Sequence, residues 1–141
     1  MNLSKIKIFS LGGLSENGKN MYVVNVDEKH IFVFDAGLKY GTSKMLGVDY
    51  IVPNIDYLVQ NKDKIEGIFL THGHDSNMGG ISDVLNLLPD VCVYATKFTM
   101  EIVKNNLAED GIKKANLKEI RPHSKLEFGD NLAIFPISVT H

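Results

Sequence analysis

The chain has 141 residues, of which 44% are hydrophobic and 23% are charged, and its formal net charge is −2. This is the composition of one ordinary globular domain with a core of its own, and it excludes a strongly basic protein that binds nucleic acid through its overall charge. No apolar run approaches the ~20 residues that span a bilayer. Cys92 is the only cysteine, which is typical of a reducing compartment. We therefore expect a cytoplasmic protein with Cys92 in its core and no membrane partner.

The first part of the chain predicts three antiparallel strands joined by turns. Residues 5–10 alternate polar and apolar side chains, and the apolar segments 21–26 and 30–34 are separated by a short charged turn. Asp35 directly follows the third strand. Two interpretations of this residue remain open: its carboxylate either caps a turn or orients a metal-binding histidine without binding the metal itself.

The segment 38–54 has no clear periodicity and contains two glycines and a proline. We expect a surface loop that passes near the functional site, because long irregular segments in compact domains usually serve a function. Residues 55–60 predict one or two helical turns ahead of a buried strand at 67–70.

The second half of the chain predicts alternating helices and strands. Apolar residues fall on one helical face between Ile81 and Leu88, a buried strand follows at 91–95, and Thr96 is the predicted N-cap of a helix that ends near Gly111. Beyond it we expect three short strands, at 117–120, 124–128 and 132–139. The whole pattern predicts an α/β domain with a mixed, mostly antiparallel sheet and helices on one face.

His72 and His74 directly follow the buried strand at 67–70 and are separated by one glycine. Both can bind one ion where the backbone leaving a strand is irregular, and neutral imidazoles suit zinc, manganese or iron. The alternative is that both are ordinary polar loop residues. Their position at the carboxyl end of a buried strand, where open α/β sheets bind ligands, favours a metal site.

Other polar residues give weaker signals. His30 and His123 are expected at the surface. One cationic cluster is either a solvated face or a contact to RNA phosphates, and in the second case binding would depend strongly on salt. Its members are Lys113, Lys114, Lys118, Arg121 and Lys125.

Several segments keep a common order and spacing: Leu11-Gly12-Gly13, Gly18-Lys19-Asn20-Met21-Tyr22, Phe34-Asp35-Ala36-Gly37, Leu46-Gly47-Val48-Asp49 with Val52-Pro53, and Gly67 to His74. Together they resemble the ribonuclease J family, in the β-CASP branch of the metallo-β-lactamase superfamily. The resemblance implies that residues 1–141 are the amino-terminal part, about the first half, of an αββα sandwich, with the rest of that domain and the β-CASP and carboxyl-terminal domains absent. It also implies three metal ligands, His72, His74 and His141, the last at the family's third histidine position.

The family pattern is His-x-His-x-Asp-His, and this chain departs from it at the last two positions. Ser76 occupies the aspartate position and Asn77 the last histidine position. Serine and asparagine are poor zinc ligands, so the resemblance implies one divalent ion, zinc or manganese, with the second metal site lost and no catalytic residue assigned. Asp75 stands one position early and is not expected to replace the aspartate. Alternatively, Ser76 and Asn77 are N-cap residues of the following helix.

A degenerate motif of this kind is similar to that of a second paralogue within the family. The resemblance therefore implies a protein of RNA processing and mRNA decay that binds RNA and forms a hetero-oligomer with an active paralogue, with weak or no hydrolysis of its own. Two alternatives remain: an active metal-dependent 5′-to-3′ exo- and endoribonuclease when full length, and a metallohydrolase of small esters. Its RNA-binding residues are unassigned. We expect the chain alone to be inactive and to self-associate through an exposed sheet face.

Overall fold

A computed structural model describes residues 3–129 and 131–141, which form ten strands and four α-helices. The strands are β1 (Ile6–Gly12), β2 (Met21–Val26), β3 (His30–Phe34), β4 (Lys39–Tyr40), β5 (Tyr50–Ile51), β6 (Ile65–Phe69), β7 (Cys92–Thr96), β8 (Asn116–Ile120), β9 (Leu126–Phe128) and β10 (Leu132–Ile134). The helices are α1 (Asp56–Gln60), α2 (Asp75–Met78), α3 (Ile81–Leu87) and α4 (Lys97–Glu109), with a 3-10 turn at Lys62–Lys64.

Six strands form one mixed sheet in the order β1-β2-β3-β6-β7-β8. β1, β2 and β3 pair antiparallel as consecutive hairpins, whereas β3, β6, β7 and β8 pair parallel because helical segments connect them. Two antiparallel ribbons, β4–β5 and β9–β10, are separate from this sheet. The predicted mixed sheet is confirmed. Among the described residues, the six-stranded sheet has two antiparallel and three parallel strand pairs, and the two ribbons add two antiparallel pairs.

The helices lie on one face of the sheet, as predicted. Buried helix side chains such as Leu58, Ile81 and Met100 share one core cluster with Val33 and Ile68 of the strands. This packing holds the parallel strands in place, and the carboxyl ends of those strands carry the candidate site.

The opposite face of the sheet carries a smaller aromatic core. Phe32, Phe69 and Tyr94 are buried there, and the ring centroids of Phe69 and Tyr94 are 4.7 Å apart in a stacked arrangement. Phe128 of β9 packs edge-on against all three rings. The β9–β10 ribbon therefore covers part of the face that was expected to be exposed. On the same face, Ile6 and Ile8 of β1 stay exposed beside Val26 and Val24. Further large exposed apolar side chains near the carboxyl end are Phe135, Ile137 and Val139.

Four details differ from the sequence-based expectations. The strand predicted at 132–139 ends at Ile134, since Pro136 has no N–H to continue a ribbon. The loop at 38–54 contains the short ribbon β4–β5. Cys92 is half-buried. Thr96 is at the N-cap of α4 but forms no side-chain capping bond.

Among the described residues, none of the helices combines the length and hydropathy that a bilayer span requires.

Ile68 tests whether the core between sheet and helices stabilises the domain. Its side chain is fully buried in β6, next to the segment that carries the histidines. We expect Ile68→Ala to lower the free energy of unfolding by about 2–5 kcal/mol, because the lost methyl groups leave a cavity. Urea denaturation measures the change. Ile8→Ala is the control, since Ile8 is 72% exposed and its loss should cost less than about 1 kcal/mol. Equal losses in both variants would contradict this description of the core.

Candidate metal centre

The candidate site lies where the parallel strands end. Asp35 directly follows β3, and His72 and His74 lie in the irregular segment between β6 and α2. Because β3 and β6 are parallel neighbours, their carboxyl ends meet at one edge of the sheet, which is where open sheets of this kind place their ligands.

The structure brings together the three histidines that were expected to bind a metal. One ring nitrogen from each of His72, His74 and His141 lies within 4.8 Å of the other two. His141 Nε2 lies 3.1 Å from His74 Nδ1, although the two residues are 67 positions apart in the chain. His72 is half-buried, whereas His74 and His141 are exposed. The cluster is therefore open to solvent on one side.

These residues fit a zinc-type ion. With Zn–N bonds of about 2.0–2.1 Å, two nitrogens of a tetrahedral site are about 3.3 Å apart, close to the separation of His74 Nδ1 and His141 Nε2. Three imidazoles with one open side are a known donor set of catalytic zinc. Burial lowers the pKa of His72, and the charges of His141 and His74 lower it further against the opposing effect of Asp35. This lowering of the pKa favours the neutral form of His72, which is the form that binds a metal.

Asp35 is buried and reaches His72 only through Thr71. Asp35 Oδ1 accepts hydrogen bonds from the Thr71 backbone N–H (2.8 Å) and from the Thr71 hydroxyl (3.0 Å), and Asp35 Oδ2 accepts one from the Asn77 amide (2.7 Å). The Thr71 hydroxyl oxygen lies 2.9 Å from His72 Nδ1. Burial raises the pKa of Asp35, and the bonds from Thr71 and Asn77 counteract this increase.

Ser76 and Asn77 lie inside α2 rather than at its N-cap. Asp75 is the first residue of α2, and His74 holds the N-cap position without a side-chain capping bond. The N-cap of α3, the helix that begins at Ile81, is Gly80. The interpretation of Ser76 and Asn77 as N-cap residues of the following helix is therefore wrong. Ser76 Oγ donates to Asn77 Oδ1 (2.7 Å), and Asn77 donates to Asp35. Both side chains are engaged with other protein groups.

Asp75 lies outside the histidine cluster. Its carboxylate accepts a hydrogen bond of 2.5 Å from the Tyr40 hydroxyl, and this bond raises the pKa of Tyr40. Tyr40 belongs to β4, so the segment 38–54 does pass beside the site, as predicted. The carboxylate of Asp75 is thus hydrogen-bonded to the β4–β5 ribbon.

The lesser candidates stay away from this site. His30 is at the surface with 33% of its side chain exposed, and its Nδ1 lies 2.7 Å from the Glu66 carboxylate of the neighbouring strand, a partner that was not expected. His123 is exposed. The basic side chains at 113–125 are exposed, and two of them have partners within the chain: Lys125 pairs with Glu127 at 3.2 Å, and Lys118 Nζ lies 5.9 Å from the Tyr94 ring centroid.

An apolar cleft adjoins the histidine cluster. Its volume is about 450 Å³, and His72 and His141 contribute to its lining together with aromatic and aliphatic side chains. These include Phe34, Phe69, Ile134, Phe135 and Ile137. A ligand in this cleft would place an apolar or planar group beside the imidazoles.

Sequence reasoning assigned no role to Thr71 or Asn20, although both contribute to the site. Thr71 directly precedes His72 at the end of a strand, which is a signal that could have marked its hydroxyl as a partner of Asp35 or His72. Asn20 Nδ2 donates to Asn77 Oδ1 over 3.3 Å and 57 positions of sequence, and no local pattern indicates that contact.

Comparison with proteins of known sequence finds close relatives over nearly the whole chain. No family model matches. The chain is 44% identical over 128 residues to the ribonuclease J2 of Bacillus subtilis (strain 168), in an alignment of 90% of this chain with 23% of that protein. It is 42% identical over 137 residues to the ribonuclease J 2 of Staphylococcus aureus (strain NCTC 8325 / PS 47), aligning 96% of this chain with 24% of that protein. The chain spans about a quarter of the length of these curated relatives.

Solved structures share the fold at low sequence identity. Zn(2+)-bound PqqB from Methylobacterium extorquens has a TM-score of 0.59 and 16% identity, covering 85% of this chain and 42% of that one. A diphosphatase of the PhnP family has a TM-score of 0.51 and 17% identity, covering 82% of this chain and 43% of that one. The short form of human tRNase Z has a TM-score of 0.50 and 16% identity, covering 83% of this chain and 45% of that one. These are metallo-β-lactamase fold proteins, and the predicted fold is confirmed.

Proposed function

From the homology of this chain to ribonuclease J proteins over nearly its whole length, and from its metallo-β-lactamase fold, we propose that it is the amino-terminal part of a ribonuclease J-type protein of RNA processing and mRNA decay. In this proposal the chain holds one divalent ion, zinc or manganese, at His72, His74 and His141, and it has weak or no hydrolysis of its own. The observation that carries the proposal is the contrast between three clustered imidazoles and the hydrogen-bonded Ser76 and Asn77.

An ion at the three histidines would act as a Lewis acid toward a phosphoryl oxygen. Hydrolysis is faster when a positioned group also takes a proton from the attacking water. Within the described residues, no carboxylate joins the histidine cluster: Asp35 is buried against Thr71 and Asn77, and Asp75 accepts from Tyr40. General acid–base assistance typically raises the rate of such a reaction by about 10²–10⁴-fold. The absence of a base beside the histidines therefore supports weak or no hydrolysis by this chain.

RNA and a paralogous subunit are the proposed partners. The exposed basic residues at 113–125 would contact phosphates, in a salt-dependent manner. The aromatic lining of the cleft beside His72 suits the flat face of a base from single-stranded RNA. The exposed apolar residues Ile6 and Ile8 of β1 would contact another subunit or a further copy of the chain.

We expect no measurable hydrolysis of 5′-monophosphorylated RNA by the purified chain, with or without added zinc or manganese. Gel analysis of end-labelled RNA over time provides the measurement. Cleavage that is lost with a chelator and with His72→Ala would refute the proposal. An alanine variant of the distant His123 is the matched control for any contaminating nuclease, because it should leave such cleavage unchanged.

The second candidate is an active metal-dependent 5′-to-3′ exo- and endoribonuclease in the longer protein. The complete set of three clustered histidines favours it. His72→Ala combined with His74→Ala in the longer protein separates the two candidates, since loss of RNA decay supports the enzyme and unchanged decay supports the binding role. A metallohydrolase of small esters is a third candidate, because this fold alone does not choose a substrate.

A further inference from the structure

The Asp35 carboxylate receives donors at both of its oxygens. The Thr71 backbone N–H lies 2.8 Å from Oδ1, the Asn77 amide nitrogen lies 2.7 Å from Oδ2, and the Thr71 hydroxyl lies 3.0 Å from each oxygen. A backbone N–H and an amide NH₂ can only donate. Each carboxylate oxygen therefore accepts at least one hydrogen bond, and all of these donors are satisfied when Asp35 is ionised.

The direction of the next hydrogen bond follows from counting protons. The Thr71 hydroxyl has one proton, and a carboxylate that accepts throughout takes that proton. The Thr71 oxygen then has only lone pairs to offer to His72 Nδ1, 2.9 Å away. With Asp35 ionised, His72 Nδ1 therefore carries the ring proton, and a neutral His72 has its lone pair on Nε2.

We propose that Asn77 and Thr71 are positioning residues that hold His72 in the Nδ1–H tautomer, with Nε2 free to bind an ion. The Asn77 amide fixes the Asp35 carboxylate, Asp35 takes the Thr71 proton, and Thr71 accepts from His72. The link from tautomer to metal affinity rests on the proposed ion at the histidine cluster, whereas the assignment of the tautomer does not.

The orientation of the Asn77 amide is fixed by two further residues. Ser76 Oγ donates to Asn77 Oδ1 (2.7 Å), and Asn20 Nδ2 donates to the same oxygen (3.3 Å). A flipped amide would turn its oxygen toward the Asp35 carboxylate and its NH₂ toward the Asn20 amide donor. The NH₂ of Asn77 therefore stays on Asp35.

Every buried polar side-chain atom of this network has a hydrogen-bond partner. Among the described residues, the one buried side-chain polar atom without a partner is Ser82 Oγ in α3, which is not part of this network. The neutral amide of Asn77 thus donates the hydrogen bond that holds the buried Asp35 carboxylate in place.

The decisive measurement is the tautomer of His72 in the metal-free chain. The chain labelled with ¹⁵N-histidine contains five imidazoles, and two-bond ¹H–¹⁵N spectra at mildly alkaline pH distinguish protonated from bare ring nitrogens. We expect Nδ1–H at His72 in the wild-type chain. Thr71→Val, which keeps the backbone N–H and the shape but removes the hydroxyl, should shift His72 toward Nε2–H, and Thr71→Ser should restore Nδ1–H. Asn77→Leu should act in the same direction as Thr71→Val.

Thr42→Val and Asn86→Leu are matched controls at exposed positions and should leave His72 unchanged. An Nε2–H tautomer at His72 in the wild-type chain would overturn the inference without any variant. So would an unchanged tautomer in a folded Thr71→Val chain. A purely structural role for Thr71 predicts lower stability with an unchanged tautomer, which is the opposite of our expectation.

Zinc affinity, measured by competition with a chromophoric chelator, completes the test. Because partners outside the coordination sphere typically change affinity by about 10–100-fold, we expect a loss of that size in Thr71→Val and recovery in Thr71→Ser. If the wild-type chain shows the expected tautomer but binds no zinc, the proposed function fails and the tautomer assignment stands. If zinc binds but the tautomer differs, the proposed function stands and the assignment fails.

Discussion

Replacing His72 and His74 together by alanine is expected to weaken zinc binding by this chain strongly. The two imidazoles supply two of the three nitrogens that lie within 4.8 Å of one another. One imidazole alone, that of His141, does not form a closed site. Loss of a residue outside the coordination sphere already costs about 10–100-fold, so loss of two ligands should weaken binding by at least about 100-fold. Competition with a chromophoric zinc chelator measures the affinity.

The matched control for this double variant is His30→Ala combined with His123→Ala. These two histidines lie outside the cluster, so the control removes the same number of imidazoles while leaving the site intact. We expect it to bind zinc as tightly as the wild-type chain. If the control and the His72/His74 variant lose zinc affinity equally, zinc binds to scattered surface histidines and the proposed site is wrong.

Gly37→Ala is expected to cost more stability than any ordinary surface substitution, more than about 3 kcal/mol. A Cβ atom at Gly37 would lie 1.8 Å from the Ser76 carbonyl oxygen and 2.7 Å from the Asn20 backbone nitrogen. Both obstacles are backbone atoms, which cannot move aside as the end of a side chain can. The segments that carry Asp35 and Ser76 would have to separate.

That separation would also break backbone hydrogen bonds around the site. Gly37 N–H donates to Asn20 O (2.9 Å), Asn20 N–H donates to Ser76 O (2.9 Å), and Ala36 N–H donates to Asn77 O (2.8 Å). Each broken buried bond costs about 1–3 kcal/mol when its groups are left unsatisfied. Urea denaturation gives the free energy of unfolding.

Gly111→Ala is the control for this prediction. A Cβ atom at Gly111 meets nothing within 4 Å, so the expected cost is only that of placing alanine at a φ of +75°, about 1–2 kcal/mol. A Gly37→Ala chain as stable as the Gly111→Ala chain would show that the contact between the Asp35 turn and α2 is looser than the structure describes.

Local patterns in the sequence determined much of this description. The early strands follow from alternating and continuous apolar segments, and α4 follows from its spaced apolar face and Gly111. His72, His74 and Asp35 stand directly after buried strands, so their position at a sheet edge could be predicted without coordinates. Such features depend on residues that are close in the chain, where periodicity and turn chemistry act.

Contacts between distant segments were beyond local patterns. The sequence by itself marked His72 and His74 as a metal pair, and a family resemblance was needed to add His141. Only the tertiary structure put the His141 ring beside His74, joined Asn20 and Asn77 across 57 positions, and showed that Asp35 reaches His72 through the Thr71 hydroxyl. The physical reason is that hydrogen-bond partners are chosen by distance and direction in space. Parallel pairing of β3 with β6 brings their two carboxyl ends together, and no residue in either strand specifies that by itself.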